Sequence, residues 1–144
     1  MIETQKEFFK THLSRNVLWR MDQLRLFKKA FEKYEDQLLL ALENDLGKAQ
    51  LESYTSEVLI VKRTLRQYIK NTPKWSQARN VGRSILMMGK NSKVYPEPRG
   101  TVLIISPFNY PIQLSLIPLI TAIAAGNTAV LKLSSRTPKT SNLI

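Results

Sequence analysis

Thr101-Val-Leu-Ile-Ile-Ser-Pro-Phe-Asn-Tyr-Pro111, followed by an uncharged stretch and then Ala124-Ala-Gly-Asn-Thr-Ala-Val-Leu-Lys132, decides the fold class. Residues 101–106 form a continuous apolar run rich in β-branched side chains, the pattern of a strand buried on both faces. Pro107 and Pro111 bracket a loop. Residues 112–125 read as a buried helix that Pro118 either kinks or divides. Gly126-Asn127 ends that helix, and residues 128–132 make a second buried strand. Strand, crossover helix and strand form a βαβ unit, whose strands run parallel with a right-handed connection. The competing reading is a membrane span, because no charge lies between Gly100 and Leu131. Gln113, Pro118 and the Gly126-Asn127 break argue against it, since a span is a single unbroken apolar stretch.

Upstream of this unit the texture is different. Residues 83–88 and 92–95 are short strand-like runs around Gly89-Lys90-Asn91, which has hairpin-turn composition. Before them the chain is helical. Leu24, Phe27, Phe31, Tyr34, Leu38 and Ala41 step by three and four onto one stripe, the pattern of one helix or of two with a break near Tyr34-Glu35, and Gly47 is a C-terminal stop. Leu51, Tyr54, Val58, Val61, Leu65 and Tyr68 repeat the spacing, and Pro73 is expected to forbid continuation. Trp19 and Trp75 read as packing anchors. His12 is the only histidine. It falls in a polar opening helix and reads as a surface or boundary residue rather than a ligand.

At 144 residues, 43% of them hydrophobic and 23% charged, the chain has the composition of one globular domain. Cysteine is absent, which excludes a disulfide framework, a thiolate zinc site and a cysteine nucleophile on this chain. No leader pattern is present, so the expected location is the cytoplasm. Residues 1–60 hold nine Lys/Arg against ten Asp/Glu, whereas residues 61–144 hold thirteen against Glu97 alone. A basic half of this kind can attract nucleic acid or an anionic membrane surface. No base-reading motif accompanies it, so a solvated face with acidic partners in a larger protein is the preferred reading.

A polar loop leaving the carboxyl end of a buried parallel strand is where open α/β sheets bind ligands. Asn109 is the residue there with chemical capacity. A rigid amide donor aimed at a carbonyl oxygen stabilises a developing oxyanion by roughly 3–4 kcal/mol. The bland alternative is a turn asparagine.

The residues 105–111 (Ile-Ser-Pro-Phe-Asn-Tyr-Pro), together with Asp45-Leu-Gly-Lys48, residues 52–57, Glu97-Pro-Arg-Gly100 and the Ala-Ala-Gly-Asn helix end, closely resemble the aldehyde dehydrogenase superfamily, in particular its class 3-like branch. The resemblance runs from about Arg20 to the last residue. It implies an α/β fold: N-terminal helices plus the first βαβ unit of an open parallel, Rossmann-like sheet, with a short β-hairpin arm. On that pattern residues 1–82 are the helical part of the cofactor-binding domain, 83–96 resemble the oligomerisation arm, and 97–144 begin the NAD(P)-binding sheet. Asn109 resembles the family's oxyanion asparagine. Ile105, Ser106, Pro107 and Phe108 resemble the wall beside the cofactor, and Lys132 the lysine that hydrogen-bonds the adenine ribose. Tyr110 corresponds to residues lining the aldehyde entrance. No metal is implied.

Two departures from the family pattern carry consequences. The family continues after this lysine with Pro-Ser-Glu, whereas Leu133-Ser134-Ser135 stands here. A serine at Ser135 removes the carboxylate that accepts from a ribose 2′-hydroxyl, so NAD preference is expected to weaken and NADP to be tolerated. The family also continues to a catalytic glutamate and a cysteine nucleophile. That cysteine forms a thiohemiacetal, hydride leaves to NAD or NADP, and a glutamate-activated water hydrolyses the thioester. Without cysteine this chain is expected to be a truncated aldehyde dehydrogenase, inactive alone, with an incomplete cofactor site. It would act on an aldehyde only as part of a homo-oligomer (a dimer) of the complete protein or with a complementary C-terminal chain. A non-catalytic interaction module is the alternative, and a basic nucleic-acid or membrane-surface binder the third.

Overall fold

The helical part begins at a capping side chain. Asn16 accepts hydrogen bonds from the backbone N–H of Leu18 at 2.8 Å and Trp19 at 3.3 Å, satisfying donors that the first turn leaves free. From there α2 runs Val17–Lys33 and α3 Glu35–Leu46, with Tyr34 as the break between them. The computed structural model describes residues 2–81 and 91–144. In it α1 (Ile2–Lys10) precedes a 3₁₀ turn at Leu13–Arg15. His12 lies between the two, exposed and at φ 61°, rather than inside the opening helix. Gly47 ends α3 at φ 65°, its N–H donating to Glu43 O.

Residues 50–75 form one helical run with an irregular turn: α4 (Gln50–Ser53), a π-turn at Tyr54–Val58, then α5 (Leu59–Trp75). A π-turn holds an extra residue, which rotates the preceding positions by about 100°. Leu51, expected on the buried stripe, is therefore 76% exposed, and Ser53 takes the buried position. Pro73 does not stop α5, because it removes only its own donor. Ser76 N–H still reaches Thr72 O at 3.0 Å, and the helix ends there.

β1 (Arg79–Asn80) pairs antiparallel with β2 (Lys93–Val94), Arg79 opposite Val94. The expected hairpin strand at 83–88, with Gly89 and Lys90 of its turn, lies outside the described residues. β3 (Thr101–Ile105), α6 (Pro111–Ala124) and β4 (Thr128–Lys132) complete the βαβ unit, the strands parallel with Thr101 opposite Thr128 and Ile105 opposite Lys132. Pro118 leaves α6 a single helix. A last helix, α7 (Pro138–Leu143), follows. No helix among the described residues is long and apolar enough to cross a membrane.

The core joins Leu24 and Phe31 of α2, Leu38 and Leu42 of α3, Val61 and Leu65 of α5, and Ile112, Leu116 and Ile120 of α6. α6 thus packs one face on the helices and another on the sheet. On the far side of the sheet α1 covers only the strand starts, where Thr128 Oγ1 contacts Thr101 Oγ1 and donates to Gln5 O. Leu103 and Ile105 lie on that same face beyond α1 and are 61% and 72% exposed. The expectation of burial on both faces therefore holds for Ile104, which faces α6, and not for them.

Arg20 pins the far end of α6. The residue is 6% exposed, and its guanidinium donates from Nε to Ser14 O (2.6 Å), from Nη2 to Arg15 O (2.8 Å), and from Nη1 to Ser76 Oγ and Ala124 O. Burial pulls its pKa below the ordinary value, yet arginine stays protonated. Gly126, at φ 84°, lies against this group: a Cβ there would stand 2.6 Å from Arg20 Nη2. Gly126→Ala combines left-handed backbone strain with a clash and should cost about 2 kcal/mol or more. Urea denaturation measures it, and an unchanged midpoint would contradict this packing.

Candidate functional site

Parallel strands bring their carboxyl ends to one edge. Ile105 is opposite Lys132, and the ladder extends one step further with Ser106 N–H donating to Lys132 O at 3.0 Å. The loops 106–110 and 133–137 therefore leave the sheet side by side. Ile105, Ser106, Pro107, Phe108, Asn109, Tyr110, Lys132 and Ser135 all fall at this edge. Ser106 is buried and its Oγ lacks a partner among the described residues, while Ile105, Phe108, Tyr110, Lys132 and Ser135 are exposed. Asn109 is exposed, and its side-chain amide has no hydrogen-bond partner among the described residues. Among the described residues Lys132 Nζ donates only to the neighbouring Leu133 O, at 3.0 Å. No cluster among the described residues has the make-up of a metal site.

The loop that carries Asn109 is held from below by two residues of the helical part. Glu57, within the π-turn, is fully buried. Its Oε2 accepts from the N–H groups of Ile112 (2.9 Å) and Gln113 (3.2 Å), at the first turn of α6. A carboxylate there satisfies orphan donors and meets the positive end of the helix dipole. Its other oxygen, Oε1, pairs with Lys48 Nζ at 2.8 Å. The same ammonium donates to Asn109 O at 2.7 Å and lies 4.0 Å from the centre of the Tyr110 ring. Lys48 thus touches the main chain of Asn109, the face of Tyr110 and, through Glu57, the start of α6.

The second loop is held by Asp45. Its carboxylate accepts from the N–H of Thr140 (2.8 Å) and Lys139 (3.2 Å) and from Thr140 Oγ1 (2.9 Å), capping α7. Ser134 turns the loop, its Oγ accepting from Arg136 N–H and its O from Ser141 Oγ. Arg136 then lies over the Phe108 ring at 5.1 Å, joining the two loops across the edge.

The residues read from sequence were those of the edge, and those beneath it were missed. Asp45-Leu-Gly-Lys48 and residues 52–57 were legible only as strings shared with a family, without a task. One signal was available: Glu57 is a single acid next to Val58 on the apolar stripe, and an acid at the margin of a core demands a partner. Arg136 carried no signal, because nothing local distinguishes it from a solvated base.

Comparison with known proteins identifies the family to which this fold belongs. The sequence matches the model of the Aldehyde dehydrogenase family over residues 1–144, further towards the N-terminus than Arg20. It is 42% identical, over 96% of its length, to a 4,4′-diaponeurosporen-aldehyde dehydrogenase of Staphylococcus aureus, of which it covers 30%. It is 34% identical over 99% of its length to aldehyde dehydrogenase family 3 member A2 of Rattus norvegicus, covering 30% of that protein. The substrate-bound structure of Staphylococcus aureus AldH superposes with a TM-score of 0.95 at 40% identity, over 99% of this chain and 32% of that one. A NAD-dependent benzaldehyde dehydrogenase of Corynebacterium glutamicum shares the fold, with a TM-score of 0.79 at 23% identity over 96% of this chain and 29% of its own. The chain therefore spans about a third of the relatives it matches, and it belongs to the aldehyde dehydrogenase family, among relatives of the class 3-like branch.

Proposed function

We propose that these residues supply the carbonyl-oxygen site and part of the dinucleotide site of an NAD(P)-dependent aldehyde dehydrogenase that oxidises an aldehyde to a carboxylic acid. The observation that carries the proposal is the Asn109 amide, exposed and unpartnered on a loop whose main chain is held in place. When a nucleophile adds to an aldehyde, charge grows on the carbonyl oxygen, and an amide already oriented needs no rearrangement to meet it. Tyr110 walls the aldehyde approach.

The donor set beside it suits a nucleotide. Lys132 presents an exposed ammonium at the end of β4, able to donate to ribose hydroxyls, and Ile105, Pro107 and Phe108 offer an apolar surface next to it. When bound, the nicotinamide cofactor accepts the hydride that the aldehyde carbon loses. No carboxylate stands at Ser135 to accept from a 2′-hydroxyl or repel a 2′-phosphate, which supports use of NADP as well as NAD. The nucleophile comes from outside these residues, since the chain has no cysteine, and without it the chain alone is inactive; the water-activating glutamate that the family pattern implies is assigned outside them as well. We assign residues 1–82 and 97–144 to the cofactor-binding domain. Residues 83–96, entered through the β1–β2 pairing, we assign to an arm that joins protomers of a dimer.

The decisive preparation is a chimera in which residues 1–144 replace the matching 30% of the Staphylococcus aureus relative. It should generate reduced cofactor with an aldehyde, while the 144 residues alone generate none. Asn109→Ala in the chimera should lower kcat by about 10²–10³-fold, the cost of one oxyanion donor. A chimera that folds but is insensitive to this substitution would end the proposal. Ser135→Glu should raise the preference for NAD over NADP, and an unchanged ratio of kcat/KM for the two cofactors would remove Ser135 from the site.

A further inference from the structure

Lys48 meets Asn109 only at its main chain, Glu57 reaches that loop through Lys48 and the start of α6, and that geometry points to a task. We infer that this pair consists of positioning residues that set the orientation of the Asn109 amide, an inference resting on the reading of Asn109 as the oxyanion donor. Lys48 Nζ binds Asn109 O at 2.7 Å and Glu57 Oε1 at 2.8 Å, while Glu57 Oε2 binds the N–H groups of Ile112 and Gln113. The five residues from Ser106 to Tyr110 therefore hang between two fixed points: the end of β3 and the start of α6. Lys48 fixes the peptide that leaves Asn109, which leaves the side chain few directions in which to project. Both partners are largely shielded from solvent: the Lys48 side chain is 13% exposed and that of Glu57 0%. The pair is shielded, so salt in the medium screens it little.

Gly47 extends the device. Its left-handed turn separates Asp45 from Lys48, so that Asp45 grips α7 after β4 while Lys48 grips the loop after β3. One short turn at the end of α3 thus sets the spacing of both loops at the sheet edge.

A residue that acts through Asn109 has no further effect once Asn109 is gone, whereas one that merely holds the fold together costs the same in either background. In the chimera, Lys48→Met should lower kcat by about tenfold to a hundredfold, the range for a misplacement of about 1 Å, with KM altered less than about threefold. In the Asn109→Ala background the same substitution should cost less than about twofold more. Equal losses in the two backgrounds would overturn the inference, as would no loss in the first. A fully active Asn109→Ala chimera is a different result: it refutes the site itself and the inference with it. Lys48→Met leaves the Glu57 carboxylate buried without its cation and can prevent folding. The variant Lys48→Met with Glu57→Gln removes both charges together, and the same comparison is made with it. If neither variant yields folded protein, the pair is a folding determinant and the inference fails.

Discussion

The Glu57 carboxylate is the group on which the arrangement turns. It is fully buried, and taking an ion out of water costs several kcal/mol even after relaxation. That cost is offset only if every lone pair meets a donor, and here the donors are specific: Lys48 Nζ on one oxygen and the first N–H groups of α6 on the other. Each of those partners belongs to a different part of the chain. The carboxylate therefore forces the end of α3, the π-turn and the start of α6 into one place. Moving any of them would strand a buried charge. Electrostatic need here does what apolar packing alone does not, because Val58, Val61 and Leu65 could slide against α6 by small steps at modest cost, whereas the hydrogen bonds could not.

Arg20 performs the complementary task at the other end of α6. A carboxylate stands at the helix N-terminus and a guanidinium at its C-terminus, where Ala124 O is one of four acceptors. This is the polarity that the helix dipole favours. The two ions come from α2 and from the helical run 50–75, so the crossover helix of the βαβ unit is clamped by the helices that precede it in sequence. Gly126 permits this, since its missing side chain is what lets the guanidinium approach the turn into β4. Asn127 then returns the favour to the strand before it, accepting from Gly100 N–H at 3.0 Å.

How much of this was legible depended on the range of the interaction. The βαβ unit was readable because its signals are local: the β-branched run at 101–105, the Gly126-Asn127 stop and the run at 128–132 each declare themselves within a few residues. The edge residues followed, because parallel strands put their carboxyl ends together whatever surrounds them. Leu51 was misplaced because periodicity assumes a constant turn, and the π-turn at Tyr54–Val58 breaks that constancy. Leu103 and Ile105 read as fully buried because composition reports what a strand tolerates, not what stands over it, and α1 stops short of them. The pairing of Lys48 with Asn109 spans 61 positions. No window along the chain contains both ends of such a contact, so only the folded arrangement exposes it.

The division of labour within Asn109 itself completes the physical picture. Its backbone carbonyl is committed to Lys48, and the peptide ahead of it is confined by Pro107 and the peptide behind it by Pro111 at the first turn of α6. Among the described residues nothing bonds its side-chain amide, which leaves both donors available. An amide that satisfied itself on the protein would have to break that bond before it could meet a ligand, and the energy of the new bond would be cancelled by the loss of the old one. An amide free on a floppy loop would lose its advantage to the entropy of being oriented. Holding the main chain while leaving the side chain unsatisfied avoids both losses. A turn asparagine directs its side chain to its own backbone, and the contrast with Asn109 is what supports the proposal that its amide meets developing charge.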